Sequence, residues 1–104
     1  PALAASVNVA GGTLAIPVTA RVALKTTGGV EALTLADGLY NGQELTIILV
    51  ADSGDGTLTP ATKTGWATAV FADVKDTLNL LFVDPTIGWI VTGYSGTAAP
   101  PVLT

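Results

Sequence analysis

The sequence predicts an all-β fold: one antiparallel β-sandwich or jelly-roll-like barrel of about 7–9 short strands, with extended N- and C-terminal arms. Three observations carry that prediction. Short apolar runs alternate with polar residues at the two-residue period of strands. Turn signals built from Gly, Asp, Asn and Pro recur every ~8–12 residues between them. No window sustains the i, i+3, i+4 spacing of an amphipathic helix. The boundaries that follow are an N-terminal arm over 1–12, a β-domain over 13–94 and a C-terminal tail over 95–104.

Pro1 to Gly12 is small and apolar, stops at Gly11-Gly12, and has room for a short strand over Ser6 to Val9. Thr13 to Ile16 is a strand ended by Pro17, which lacks an amide donor and so marks an edge or a bend. Val18 to Lys25 alternates, with Val18, Ala20, Val22 and Leu24 on one side and Thr19, Arg21, Ala23 and Lys25 on the other. That is the pattern of a half-buried antiparallel strand. Thr26 to Gly29 turns, and Leu33 and Leu35 share a face opposite Thr34 before the Asp37-Gly38 turn. After Asn41-Gly42, the run LTIILVA (Leu45 to Ala51) is apolar on both faces, which predicts a central strand covered on both sides.

The loop ADSGDG leads into a short strand that Pro60 ends. Trp66 to Phe71 is a further strand, and Asp73 to Asp76 a polar turn. Thr77 to Val83 and Ile87 to Tyr94 form a hairpin-like pair around Asp84-Pro85-Thr86. Leu78, Leu80 and Phe82 share one face of the first strand, and Ile87, Trp89 and Val91 one face of the second. The tail GTAAPPVLT has the prolines and small residues of an extended arm.

Composition narrows the function. Only 12% of the residues are charged, about half the globular norm of ~25%, so Ala, Thr, Val and Gly must cover much of the surface. Such a surface is poorly protected against association. The four basic residues, Arg21, Lys25, Lys63 and Lys75, are scattered and the net charge is −4. Nucleic acid and anionic membranes need clustered Lys or Arg, so neither is an expected partner. Without cysteine there is no disulfide framework and no thiolate metal site. No apolar run approaches the ~18 residues of a membrane span, and the N-terminus lacks the basic region of a signal peptide. A chain starting at Pro1 after loss of an initiator methionine predicts a protein made in the cytoplasm and not secreted.

Catalytic chemistry finds no support. There is no His for acid–base work, and Ser6, Ser53 and Ser95 lack both a His partner and a G-x-S-x-G context. Of the acidic residues Glu31, Asp37, Glu44, Asp52, Asp55, Asp73, Asp76 and Asp84, most occupy turn positions, where Asp bonds nearby amides. Asp52-Ser53-Gly54-Asp55-Gly56 offers oxygen ligands of the kind calcium takes, but not at EF-hand spacing, and a pair of turns explains it as well. The glycines Gly28-Gly29, Gly38 and Gly42 match no phosphate-binding loop. Tyr40, Trp66, Trp89 and Tyr94 would form a sugar-stacking platform if exposed, although Trp66 and Trp89 fall inside strand runs, where packing is the expected role. The expectation is no enzyme, no cofactor and no metal.

The stretch from Leu35 to Tyr94 resembles β-modules of tailed-bacteriophage structural proteins. The marks are LADG at Leu35 to Gly38, GQELTIIL at Gly42 to Leu49, TLTP at Thr57 to Pro60, DTLNLLFVD at Asp76 to Asp84 and GWIV at Gly88 to Val91. The resemblance covers about sixty residues, is a periodic pattern rather than a catalytic signature, and brings across no active-site residue. It implies a jelly-roll-type domain of a capsid decoration (cement) protein, a head fibre or a tail fibre. The chain lacks the heptads and collagen-like repeats of long fibres, which favours decoration. On that reading it is a homotrimer on the outside of a virion shell, bound to the major capsid protein, with Leu3, Val7 and Val9 contacting the shell or an adjacent protomer. The competing expectation is a receptor- or glycan-binding fibre tip.

Overall fold

After each of its first five strands the chain crosses to the opposite sheet, and this alternation sets the architecture. The computed structural model describes residues 2–97 and 99–104; Pro1 and Ala98, which belong to the segments expected as arms, lie outside the described residues. The strands are β1 (Ala4–Val9), β2 (Ala15–Ile16), β3 (Ala20–Thr26), β4 (Glu31–Leu35), β5 (Gln43–Ala51), β6 (Gly56–Pro60), β7 (Ala69–Phe71), β8 (Thr77–Phe82), β9 (Trp89–Ser95) and β10 (Val102–Leu103). They form two five-stranded sheets, ordered β1-β3-β5-β8-β9 and β10-β7-β6-β4-β2. Among the described residues there is no helix.

The all-β expectation holds, and the antiparallel one is corrected. β1, β3 and β5 run parallel in the first sheet, as do β2, β4 and β6 in the second. Strands two apart in sequence share a sheet and a direction because the intervening strand in the other sheet serves as the crossover that parallel pairing requires. From β7 onward the chain reverses, and β5–β8, β8–β9, β6–β7 and β7–β10 pair antiparallel. Both sheets are therefore mixed. The segments expected as arms carry edge strands, β1 and β10, and the radius of gyration of 12.3 Å is what a compact domain of this length shows, about 13 Å.

Inward-facing side chains of both sheets meet in one sandwich-like core. In the first sheet the row Val7–Ala23–Ile47–Leu78 runs across four strands, beside the pair Leu45–Leu80. In the second, Leu33 pairs with Leu58, which pairs with Ala69. Phe71, Phe82 and Trp89 fill the remaining space, the last two rings tilted at 5.2 Å. Edge-tilted aromatic contact of this kind adds to area burial. Gln43 is fully enclosed and satisfied at both ends: its amide donates to Val18 O and its carbonyl accepts from Leu39 N–H. Without those two bonds its burial would cost stability.

Three strand readings change. In β3 the inward residues are Ala23 and Lys25, while Val22 and Leu24 face out and are half-buried. β5 is central, as expected, but its outer residues Thr46 and Ile48 are only half-buried in the isolated chain. The strand expected from Trp66 shortens to β7, because the chain bends at Gly65 and Ala67 on either side of Trp66, whose indole N–H donates to Trp89 O at 2.9 Å.

Candidate interaction surfaces

The outer face of the first sheet is built from three rows. One joins Asn8, Leu24, Ile48, Thr77 and Ser95. The next joins Ser6, Val22, Thr46, Asn79 and Gly93, with Thr46 Oγ1 hydrogen-bonded to Asn79 Oδ1 at 2.9 Å. The third joins Glu44, Leu81 and Ile90. Glu44 is its one charge in these rows. The apolar pairs Leu24–Ile48 and Leu81–Ile90 stand at opposite ends of the face with neutral polar residues between them. Parallel strands are usually covered on both faces, whereas Val22 and Leu24 of β3 and Thr46 and Ile48 of β5 are only half-buried on this one.

The predicted contact residues divide. Leu3 is half-buried; Val7 packs against the core; Val9 is 3% exposed and belongs to the core itself. Odd-numbered positions of β1 point inward, so the strand presents Ser6 and Asn8 on its outer side. The aromatic platform is also divided. Trp89 is 0% exposed, with its indole N–H donating to Ala36 O, and Trp66 is half-buried against it. Tyr40 and Tyr94 are exposed.

The acidic loop at Asp52 is a turn. Asp52 Oδ1 accepts the Gly54 N–H at 3.0 Å, and Gly54 lies so close to Gly29 that a Cβ there would sit 2.6 Å from the Gly29 carbonyl oxygen. The loop thus presses the β5–β6 connection onto the β3–β4 connection, a contact that only glycine permits. Asp76, almost fully buried, caps its own turn by accepting the Ala72 and Asp73 N–H groups. Asp84 accepts those of Thr86 and Ile87. Among the described residues no three acidic side chains converge on a point where a metal would sit.

One polar constellation was not anticipated. Lys25 and Glu31, 1% and 7% exposed, form an ion pair at 2.8 Å across the β3–β4 connection. The Lys25 ammonium also donates to Ala10 O and Thr13 O, and Glu31 Oε2 accepts the Gly12 and Gly28 N–H groups. The Lys25 hydrogen bond, then the two backbone amides, hold the Glu31 carboxyl at about 2, down from 4.5, against the opposing effect of burial. Its groups are all engaged in tying the Ala10–Thr13 turn to β3 and β4, so its role is structural. The alternation of β3 left the side of Lys25 open; a lysine followed by glycines and a glutamate was the available signal.

No family model matches the chain. No curated protein matches it closely enough to be counted a relative.

Proposed function

We propose that this chain is a non-enzymatic structural protein that acts through its surfaces, a decoration protein bound as a homotrimer to the outside of a bacteriophage shell, where it contacts the major capsid protein. The observation that carries the assembly reading is the nearly neutral outer face of the first sheet, with the apolar pairs Leu24–Ile48 and Leu81–Ile90 at its two ends. Burial of such surface at several symmetry-related contacts stabilises a shell by multivalency without one tight site. The resemblance of Leu35 to Tyr94 to phage β-modules supplies the shell as the partner.

The test adds purified chain to shells prepared without it. Expected are density on the shell exterior by electron microscopy, a trimer mass by light scattering, and a higher bursting temperature. Shells that bind none of it, or that burst at the same temperature with and without it, would overturn the reading. The fibre-tip alternative loses Trp89 to the core and would rest on Tyr40; saturable binding on a glycan array that Tyr40→Ala abolishes would favour it instead.

A further inference from the structure

Sheet edges offer unpaired N–H and C=O groups, and proteins normally blunt them with shortness, proline or charge. The second sheet does so: its edge strands β2 and β10 have two residues each, followed by Pro17 and preceded by Pro100-Pro101 respectively. The first sheet does not. β1 (AASVNV) has six residues and β9 (WIVTGYS) seven, and neither contains a charged residue or a proline. Trp89 is already paired on its outer side, its N–H donating to Thr62 O and its C=O accepting from Thr64 N–H, so the open part of β9 is the six residues 90–95.

We propose that these two edges are complementary: β1 of one copy pairs with β9 of a second copy, continuing the sheet from molecule to molecule. Ala4 N–H donates to Thr19 O within the chain, so the alternate residues Ala5 and Val7 turn their amides and carbonyls to the free side. β1 is parallel to β5, and two antiparallel steps return β9 to that same direction. The new pair is therefore parallel, the pairing already used by β1, β3 and β5.

The rows also meet. The inner row that starts at Val7 ends at Tyr94, which is 50% exposed, and among the described residues no strand lies beyond it. In the joined sheet Tyr94 lies beside Val7 of the next copy, an aromatic–β-branched pair that favours the register, while Ser6 and Asn8 meet Gly93 and Ser95 without charge or bulk. A second copy is the occupant because the two edges agree in length, direction and row order. A two-fold β1–β1 contact would leave β9 open, whereas head-to-tail pairing satisfies both edges and closes when the rotation permits a ring.

This inference deepens the assembly reading and rests on its claim of self-association, but not on the shell. Sedimentation of the full chain tests it with Ala5→Pro, which removes a free-side amide, and Tyr94→Lys, which charges the other edge. Ala5→Lys, which keeps the amide, replaces Ala5→Pro if the proline variant loses its β-type circular dichroism. Each variant should be monomeric, with a dissociation constant raised about 100-fold or more. Mixed together, they should form a one-to-one complex and nothing larger, because each retains the edge the other has lost. A wild-type chain that stays monomeric at ~100 μM would overturn the proposal, since that concentration detects even a weak Kd. So would oligomers indifferent to both edges, or a Tyr94→Lys variant that dimerises alone. Shell binding by the monomeric variants separates the two readings: if it persists, failure at the edges leaves the shell reading standing.

Discussion

Replacing Leu58 by alanine should cost far more than replacing Leu24, although composition and alternation make both look like strand leucines. Leu58 is 0% exposed, between Leu33 and Ala69 at the centre of the second sheet. Three buried carbons at ~0.8 kcal/mol each give a transfer loss of about 2.4 kcal/mol. The cavity left among side chains held by two sheets raises the total towards about 4 kcal/mol, within the range of about 2.7–5.0 kcal/mol for buried Leu→Ala changes. Leu24 is half-buried on the outer face, next to Ile48, so its truncation leaves no enclosed cavity. It should cost about 1 kcal/mol, a fraction of the full transfer value. Urea denaturation followed by circular dichroism measures both, at a concentration where light scattering shows a monomer so that no interface contributes. With a slope of about 1.5 kcal/mol/M, the Leu58→Ala midpoint should fall by about 2.5 M and the Leu24→Ala midpoint by well under 1 M. Equal shifts would refute the assignment of inner and outer faces in β3.

The remaining expectations concern the polar cluster, the crossover contact and the indoles. Because the folded Glu31 carboxyl sits at about 2, below its ordinary 4.5, it stabilises the fold fully above 4.5 and loses that contribution as pH falls towards 2. The stability gap between wild type and Glu31→Gln should therefore be constant near neutrality and shrink between those values; a gap constant down to pH ~2 would contradict the linkage. Gly54→Ala forces a Cβ against the Gly29 carbonyl and should destabilise by about 1–3 kcal/mol in the same urea assay, with a neutral result counting against the close approach. In Trp66→Phe only the enclosed Trp89 indole remains, so emission should be blue-shifted and resistant to acrylamide; a solvent-like, readily quenched spectrum would place Trp89 at the surface.

The class of fold and most strand positions were written in the sequence, because they depend on local patterns. Alternation at Leu33–Leu35 and Leu78–Phe82, the stop at Pro60 and the Asp84 turn all act within a few residues of themselves. The edge role of β2 follows from Pro17 in the same way. The turn at Asp52 was also legible, since Asp and Gly at turn positions bond and bend the nearby backbone.

Tertiary structure decided what local pattern leaves degenerate. A strand's period is the same whether its neighbour runs parallel or antiparallel, so the alternation between sheets that makes β1, β3 and β5 parallel left no mark in their side chains. Alternation also names two faces without saying which is buried. Lys25 could turn inward only because Glu31 and the carbonyls of Ala10 and Thr13, distant in the chain, converge on its ammonium. A charge is buried when partners assemble around it, and that is a property of the folded chain. The same holds for the two unprotected edges: β1 and β9 become a matched pair only once the order of strands places them at opposite sides of one sheet.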